Sequence, residues 1–176
     1  MAQDVDLAEA VLAAWKTSNR VTMFLFENLP SEVWAMAVPG TSRRTVRMIA
    51  GHIHNARCMW IKMLGRTHGM RPPKGVNRFA VTRRELLPAL QRSSDGILEL
   101  LQLGINEGGR IPTPGVAWIN LPVDVVHVLS YLVAHEGHHR GQIVMLARQA
   151  GHRLPIEITG GLWQWSKRSK EASLTR

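Results

Sequence analysis

The stretch PVDVVHVLSYLVAHEGHHRGQIVMLARQA, residues 122–150, decides the fold class of this chain. Its apolar residues recur at intervals of three and four, which is the spacing of one face of an α-helix. Pro122 suits the first turn of such a helix, and Gly151 follows its predicted end. The face consists of Leu121, Val125, Val128, Leu132, His135, His139, Ile143, Leu146 and Ala150. We therefore predict a long helix with two histidines on its core-facing side.

A second segment, residues 42–64, carries one histidine on a similar stripe. It begins at the capping-type pair Thr41 and Ser42. The stripe is formed by Ile49, His52, Ile53, Ala56, Trp60 and Leu64. His54 lies about 100° from Ile53 around the helix axis and falls off this stripe. We predict a helix that turns His52, but not His54, toward the core.

Two other segments carry an apolar stripe and complete the set of predicted helices. Residues 6–29 form the first of them. Residues 83–103 form the other, and Thr82 just before it and Glu85 in its first turn have the spacing of a capping box. Pro88 removes a backbone donor in the second turn of this segment, so we expect the regular helix to begin later or to kink.

Four amphipathic segments with almost no strand-like alternation indicate an all-α protein, a four-helix bundle. With 176 residues, the chain is long enough for one domain with its own core. We assign residues 1–166 to this domain and expect residues 167–176 to form a disordered, basic C-terminal tail. The basic residues of that tail are Lys167, Arg168, Lys170 and Arg176.

The formal net charge of +9 raises the question of a nucleic-acid partner, because Lys and Arg side chains neutralise phosphates. The basic residues are scattered, lie at helix starts or are concentrated in the C-terminal tail. The sequence shows no combination of basic and aromatic residues that is typical of a nucleic-acid-binding module. The sequence therefore predicts solvated helix faces rather than a nucleic-acid interface.

Two features of the sequence predict a cytoplasmic protein without a membrane partner. No apolar run approaches the roughly 18 to 20 residues that are needed to span a bilayer. At the N-terminus, Asp4 and Asp6 stand where a secretory signal would need a basic stretch followed by an apolar run.

The three core-facing histidines have the spacing of a shared metal site. His135 and His139 lie about 40° apart around the helix axis and about 6 Å apart along it. His138 is an alternative, because residues three apart can also chelate, but it falls about 60° to the other side of His135. Burying three imidazoles without partners would cost roughly 1 to 3 kcal/mol each, whereas one ion binds a nitrogen of all three. Periodicity therefore favours His52, His135 and His139 as ligands of one divalent ion.

The residues 135–139 also match the HExxH pattern of zinc metalloproteases, with Glu136 as the general base. The extended form of that motif would need Gly at position 142 and His at position 145, where this chain has Gln142 and Met145. Such proteases also present their substrate along an edge strand, and the sequence predicts none. We therefore do not adopt the protease interpretation.

The chain resembles the DinB / YfiT-like superfamily of metalloenzymes over residues 6–166. The resemblance rests on MIAGHIHNARCMW in the second helix, HEGHHRGQI in the fourth and the closing GGLWQW. It implies an up-up-down-down bundle, a homodimer, and one zinc or nickel ion held by one His of the second helix and the HxxxH pair of the last. Those positions match His52, His135 and His139 here, and the resemblance leaves Glu136 without a role.

The resemblance also implies an activity, since characterised relatives include transferases and isomerases that use bacillithiol or mycothiol. It predicts a metal-dependent transferase that joins a low-molecular-weight thiol, as co-substrate, to a small electrophilic substrate. Three protein ligands leave open positions, where the ion could lower the pKa of a bound thiol or water. The alternatives are a non-catalytic metal-binding stress-response module and a metal-dependent hydrolase that uses metal-bound water.

No residue of the sequence stands out as a general base or other catalytic group. Asp124 precedes the first histidine of the pair by about 16 Å along the helix. Gln142, Trp163 and Trp165 are candidates for pocket residues, although core packing is the favoured role of the tryptophans. Cys58 is the single cysteine, which excludes intramolecular disulfides and cysteine-based zinc fingers, and it points away from the histidine stripe.

Overall fold

The computed structural model describes residues 5–37, 40, 44–113 and 121–174. Within these ranges the chain is helical and forms no β-strand, so the prediction of an all-α fold is confirmed. Four long helices dominate: α1 (Leu7–Asn28), α3 (Val46–Gly65), α4 (Arg83–Asn106) and α5 (Val125–Gln149). Shorter helices are α2 (Ser31–Trp34), α6 (Ile156–Gly161) and α7 (Trp165–Leu174), and α3 continues into a 3-10 turn, Arg66–His68.

Side-chain caps set the starts of the long helices. Thr45 caps α3, whereas the predicted start at Thr41 and Ser42 lies outside the described residues. Asp124 caps α5 and accepts a hydrogen bond from the backbone N–H of His127. Pro122 therefore precedes the helix, and its predicted place in the first turn is wrong.

The predicted capping box of α4 is present, with Thr82 and Glu85 bonding each other's backbone. Pro88 lies inside α4 without delaying its start, so the expected later start is wrong. The proline is exposed, and the carbonyl that loses its donor can bond water instead.

Two apolar clusters divide the core along the helix axes. The first combines the second halves of α1 and α5 with the first halves of α3 and α4, and its members include Leu25, Phe26, Ile49, Ile53, Leu86, Leu90, Ile143 and Leu146. The second combines the opposite halves, and its members include Trp15, Trp60, Leu64, Ile97, Leu101, Val128 and Leu132. Consequently α1 and α5 run in one direction, and α3 and α4 run in the other.

This order is up-down-down-up, so the predicted up-up-down-down connectivity is wrong. The reason is the segment that joins α3 to α4, residues 66–82, which returns along α3. The carbonyl of Lys74 lies 3.1 Å from His54 Nε2, and the carbonyl of Val76 accepts a hydrogen bond from Asn55. The segment thus carries the chain back to the end at which α3 began, and α4 starts in the same direction.

Residues 167–174, for which the sequence predicted disorder, lie in helix α7 and pack on α1. Arg168 is buried, with its guanidinium 4.0 Å from the ring centroid of Phe24. Arg20 of α1 donates to Glu171 at 2.8 Å. Arg168 and Glu171 of this segment therefore have partners on α1 that favour the helical state, which corrects the expected disorder.

None of the helices in the described ranges is both long and apolar enough to cross a bilayer.

Candidate metal centre

The structure brings His52 of α3 together with His135 and His139 of α5. One ring nitrogen from each lies within 4.8 Å of the others. The Nε2 atoms of His135 and His139 are 3.1 Å apart, and the ring centroids of His52 and His139 are 4.7 Å apart. Two nitrogens bound to one zinc ion at about 2.0 to 2.1 Å would be separated by roughly 3 to 3.4 Å. The 3.1 Å separation of His135 and His139 therefore matches two ligands of one ion, and His52 lies near enough to be the third.

The local structure explains why these side chains converge. On α5, the two histidines are one helical turn apart and face α3. On α3, His52 is partly buried, so its ring lies at the edge of the core. All three imidazoles are partly or fully shielded from solvent.

Gln142 fixes the orientation of His139. The amide oxygen of Gln142 lies 2.9 Å from Nδ1 of His139, and a carbonyl oxygen can only accept, so Nδ1 carries the proton. Nε2 is then unprotonated and presents its lone pair to His135 and His52. The same amide oxygen accepts from Arg44 at 3.0 Å, while the amide nitrogen donates to Nε2 of His138 at 2.8 Å. The network therefore holds His139 in the tautomer that can bind a metal through Nε2.

The surroundings keep the three imidazoles neutral. Burial lowers the pKa of His135 to about 4, and the neighbouring His139 and His52 act in the same direction. Burial is also the main cause of the lowered pKa of His52 and of His139. Neutral imidazole is the form that coordinates divalent ions, so the cluster is in its ligand form at pH 7.

The comparisons with known proteins identify the family. The sequence model of the DinB family matches residues 1–171, which is nearly the whole chain. The chain belongs to the DinB family. Among curated proteins, none matches it. The resemblance inferred from the sequence motifs is thus confirmed, and the three histidines that carried it lie together in this DinB-family protein.

His54 and Cys58 lie away from the histidine cluster of the DinB-family protein, as their positions on the helix predicted. His54 is nevertheless fully buried against α4, with Nδ1 3.0 Å from Ser93 Oγ, so the prediction that it does not turn toward the core is wrong. Cys58 Sγ lies 3.5 Å from Nε2 of His54. Burial raises the pKa of the Cys58 thiol, which keeps it protonated and unreactive at neutral pH.

Glu136 forms a buried ion pair, which excludes it as the general base of an HExxH protease. Arg57 donates to both of its carboxylate oxygens, at 2.6 and 2.8 Å, and Thr22 Oγ1 donates to Oε2 at 2.7 Å. Arg140 lies 3.8 Å away. Burial alone would raise the pKa of Glu136, but the charge and hydrogen bonds of Arg57 hold that pKa below its usual value. The carboxylate is therefore ionised and buried, and both of its oxygens already accept hydrogen bonds from Arg57 or Thr22.

Tyr131 is a residue near the cluster that sequence reasoning missed. Its ring stacks on that of His135, with centroids 5.9 Å apart and planes 13° apart, and it also contacts the ring of Trp60, with centroids 5.1 Å apart. The signal was present, since Tyr131 precedes His135 by one helical turn. Tyr131 restricts the ring of His135 and forms one wall of the site.

The other candidate residues lie elsewhere. Asp124 caps α5 and bonds His127, which is exposed. Trp163 and Trp165 are 84% and 36% exposed, so the favoured role of core packing is wrong for them. They border a groove on the outer side of α5 whose lining does not include the three histidines. Of the pocket candidates, only Gln142 lies at the cluster.

The metal-free protein is expected to lose stability as the pH falls below about 6.5. The unfolded chain then protonates His135, whereas the pKa of His135 in the folded protein is about 4, so protons favour the unfolded state. Allowing for solvent screening, we expect a loss of about 1 kcal/mol in the free energy of unfolding between pH 7 and pH 5. Urea denaturation of chelator-treated protein measures the loss. If a His135→Asn variant loses as much stability between pH 7 and pH 5 as the wild type, the pH dependence does not arise from His135.

Proposed function

We propose that this DinB-family protein binds one divalent metal ion, zinc or nickel, through His52, His135 and His139. The observation that carries the proposal is the convergence of three neutral imidazole nitrogens within 4.8 Å. No other His, Cys, Asp or Glu side chain in the described ranges joins this group. Three protein ligands are the number typical of catalytic zinc sites, whereas structural sites close with a fourth. The donor set therefore favours an open site over the alternative of a closed structural one.

We further propose that the protein is a metal-dependent transferase that joins a low-molecular-weight thiol to a small electrophilic substrate. When bound, a zinc or nickel ion acts as a Lewis acid that lowers the pKa of a thiol or a water molecule. Gln142 orients His139, and the ring of Tyr131 walls one side of the cluster. A hydrolase that activates water is the second candidate, because the same open position accepts either nucleophile.

Metal analysis tests the first half of this proposal. Purified protein, stripped with a chelator and then dialysed against zinc or nickel, is expected to hold one ion per chain by mass spectrometric metal determination. Protein that takes up neither ion would overturn it.

A thiol-dependent rise in fluorescence with monochlorobimane, present in the zinc form and absent in the stripped form, tests the transferase half. Hydrolysis of an ester without any thiol requirement would favour the second candidate. The predicted homodimer and cytoplasmic location remain predictions.

Gln142→Leu is expected to weaken zinc binding about 10-fold, because the groups that orient metal ligands typically contribute 10- to 100-fold in affinity. The variant removes the acceptor that holds the proton on Nδ1 of His139. Competition with a chromophoric chelator measures the zinc affinity. Gln149→Leu, at the exposed end of the same helix, is the matched control and should bind zinc as the wild type does. Equal affinities in all three proteins would show that Gln142 does not position the ligand.

A further inference from the structure

Two arginines flank the three-histidine cluster. Arg44 lies just before α3 and donates to the amide oxygen of Gln142 at 3.0 Å, the same oxygen that bonds His139. Arg78 lies over the backbone of Gly51, because a Cβ placed on that glycine would be 3.0 Å from Cβ of Arg78. Gly51 directly precedes His52. Both arginines are exposed, so their side chains are accessible to a ligand from solvent.

Charges near the cluster are unbalanced in favour of positive ones. Arg44 shares the amide oxygen of Gln142 with His139, and Arg78 packs beside the backbone that directly precedes His52, so both positive side chains start next to the cluster. Glu136 directly follows His135, but Arg57 already matches the charge of its carboxylate with two hydrogen bonds. Three neutral imidazoles also leave the full charge of a bound divalent ion uncompensated.

We propose that Arg44 and Arg78 form an anion-binding rim of this site, and that its small-molecule ligand carries a carboxylate beside the group that reaches the metal. The inference rests on the proposed function, since it concerns a ligand of the same site. Guanidinium groups bind carboxylates through two parallel hydrogen bonds, which adds orientation to the attraction of opposite charges. A carboxylate on the rim would direct the remainder of a short ligand toward the histidines.

The rim would select between thiols that differ only in charge. Mercaptoacetate and mercaptoacetamide have the same length, but only the first carries a carboxylate. Their thiols differ in intrinsic acidity, so the informative quantity is the ratio of the two affinities, compared between variants in one buffer. That intrinsic difference cancels when the ratio of a variant is divided by the ratio of the wild type.

The test uses cobalt-loaded protein, because thiol binding to cobalt is read from the absorption spectrum without any assay of activity. Arg44→Gln and Arg78→Gln are each expected to lower the preference for mercaptoacetate about 5-fold, the effect typical of one partly exposed charge contact. Arg148→Gln, an exposed arginine in the last turn of α5, should leave the ratio unchanged.

The outcomes of this experiment distinguish a failure of the anion-binding rim from a failure of metal binding. Cobalt uptake with the predicted change in the two rim variants supports it. Cobalt uptake with an unchanged ratio in both rim variants overturns the anion-binding rim and leaves metal binding intact. An equal change in Arg148→Gln also overturns it, since net charge would then account for the preference. Wild-type protein that takes up no cobalt, zinc or nickel overturns the proposed function and this inference together.

Discussion

His135→Ala is expected to abolish stoichiometric zinc binding, whereas His54→Ala leaves one zinc ion per chain. His135 supplies an Nε2 atom 3.1 Å from that of His139 and lies between this residue and Tyr131. With alanine in its place, two histidines on different helices remain. Two imidazoles are one ligand fewer than a catalytic zinc site provides. Metal content after dialysis against a fixed concentration of free zinc measures the difference.

Two controls separate loss of a ligand from loss of the fold. His54 is fully buried and bonds Ser93 and Lys74, so His54→Ala is expected to lower stability by about 1 to 3 kcal/mol without removing a metal ligand. His138→Ala removes an exposed histidine from the same helix as His135. Circular dichroism checks that every variant is folded. If His54→Ala or His138→Ala loses zinc as completely as His135→Ala, the assignment by helical face is wrong.

Helical periodicity was sufficient to predict which histidines converge. In an α-helix the direction of a side chain follows from its position, so His52 and His54 point to different sides of α3 whatever the rest of the chain does. The apolar stripe therefore told the two histidines of α3 apart, since His52 lies near α5 and His54 against α4. It did not tell which of them is buried, because His54 is fully buried between α3 and α4 whereas His52 is only partly buried.

The direction of α4 could not be read in this way. The residues between α3 and α4 include MRPPKGVNR, whose prolines and glycine indicate a loop but not its path. The path is set by contacts such as that of Asn55 with Val76. Likewise, the charge of residues 167–174 indicated a solvated tail. In the structure this segment contacts Phe24 and Arg20 on α1, and the local sequence does not predict these contacts.

The buried polar layer was also invisible to periodicity. Arg57 and Glu136 are 79 positions apart, and each one alone is a charged residue that a hydrophobic stripe excludes. In the structure both lie between the two apolar clusters, each 1% exposed. A charged side chain is compatible with the core only when it is paired with an opposite charge. A single sequence does not show which residues pair, so these two positions could not be assigned to the core.

Arg57→Met is expected to lower the free energy of unfolding by about 3 to 5 kcal/mol, because it leaves the Glu136 carboxylate buried without its main partner. Arg57 also donates from Nη1 to Asn19 and to the carbonyl of Leu90, each at 2.9 Å, so the substitution leaves those acceptors unsatisfied as well. Urea denaturation of the metal-free protein at pH 7 measures the change, and methionine retains much of the volume of the arginine stem.

A double variant separates the ion pair from simple packing. Arg57→Met combined with Glu136→Gln removes both charges, so it is expected to be more stable than Arg57→Met by about 1 to 3 kcal/mol. Arg20→Met, which breaks pairs with Glu27 and Glu171 near the surface, should cost only about 0 to 1 kcal/mol. If the losses of the two single core variants instead add in the double variant, the charges are not coupled. The layer would then stabilise the helices through its shape, and the ionised state of Glu136 would have no part in holding α3 against α5.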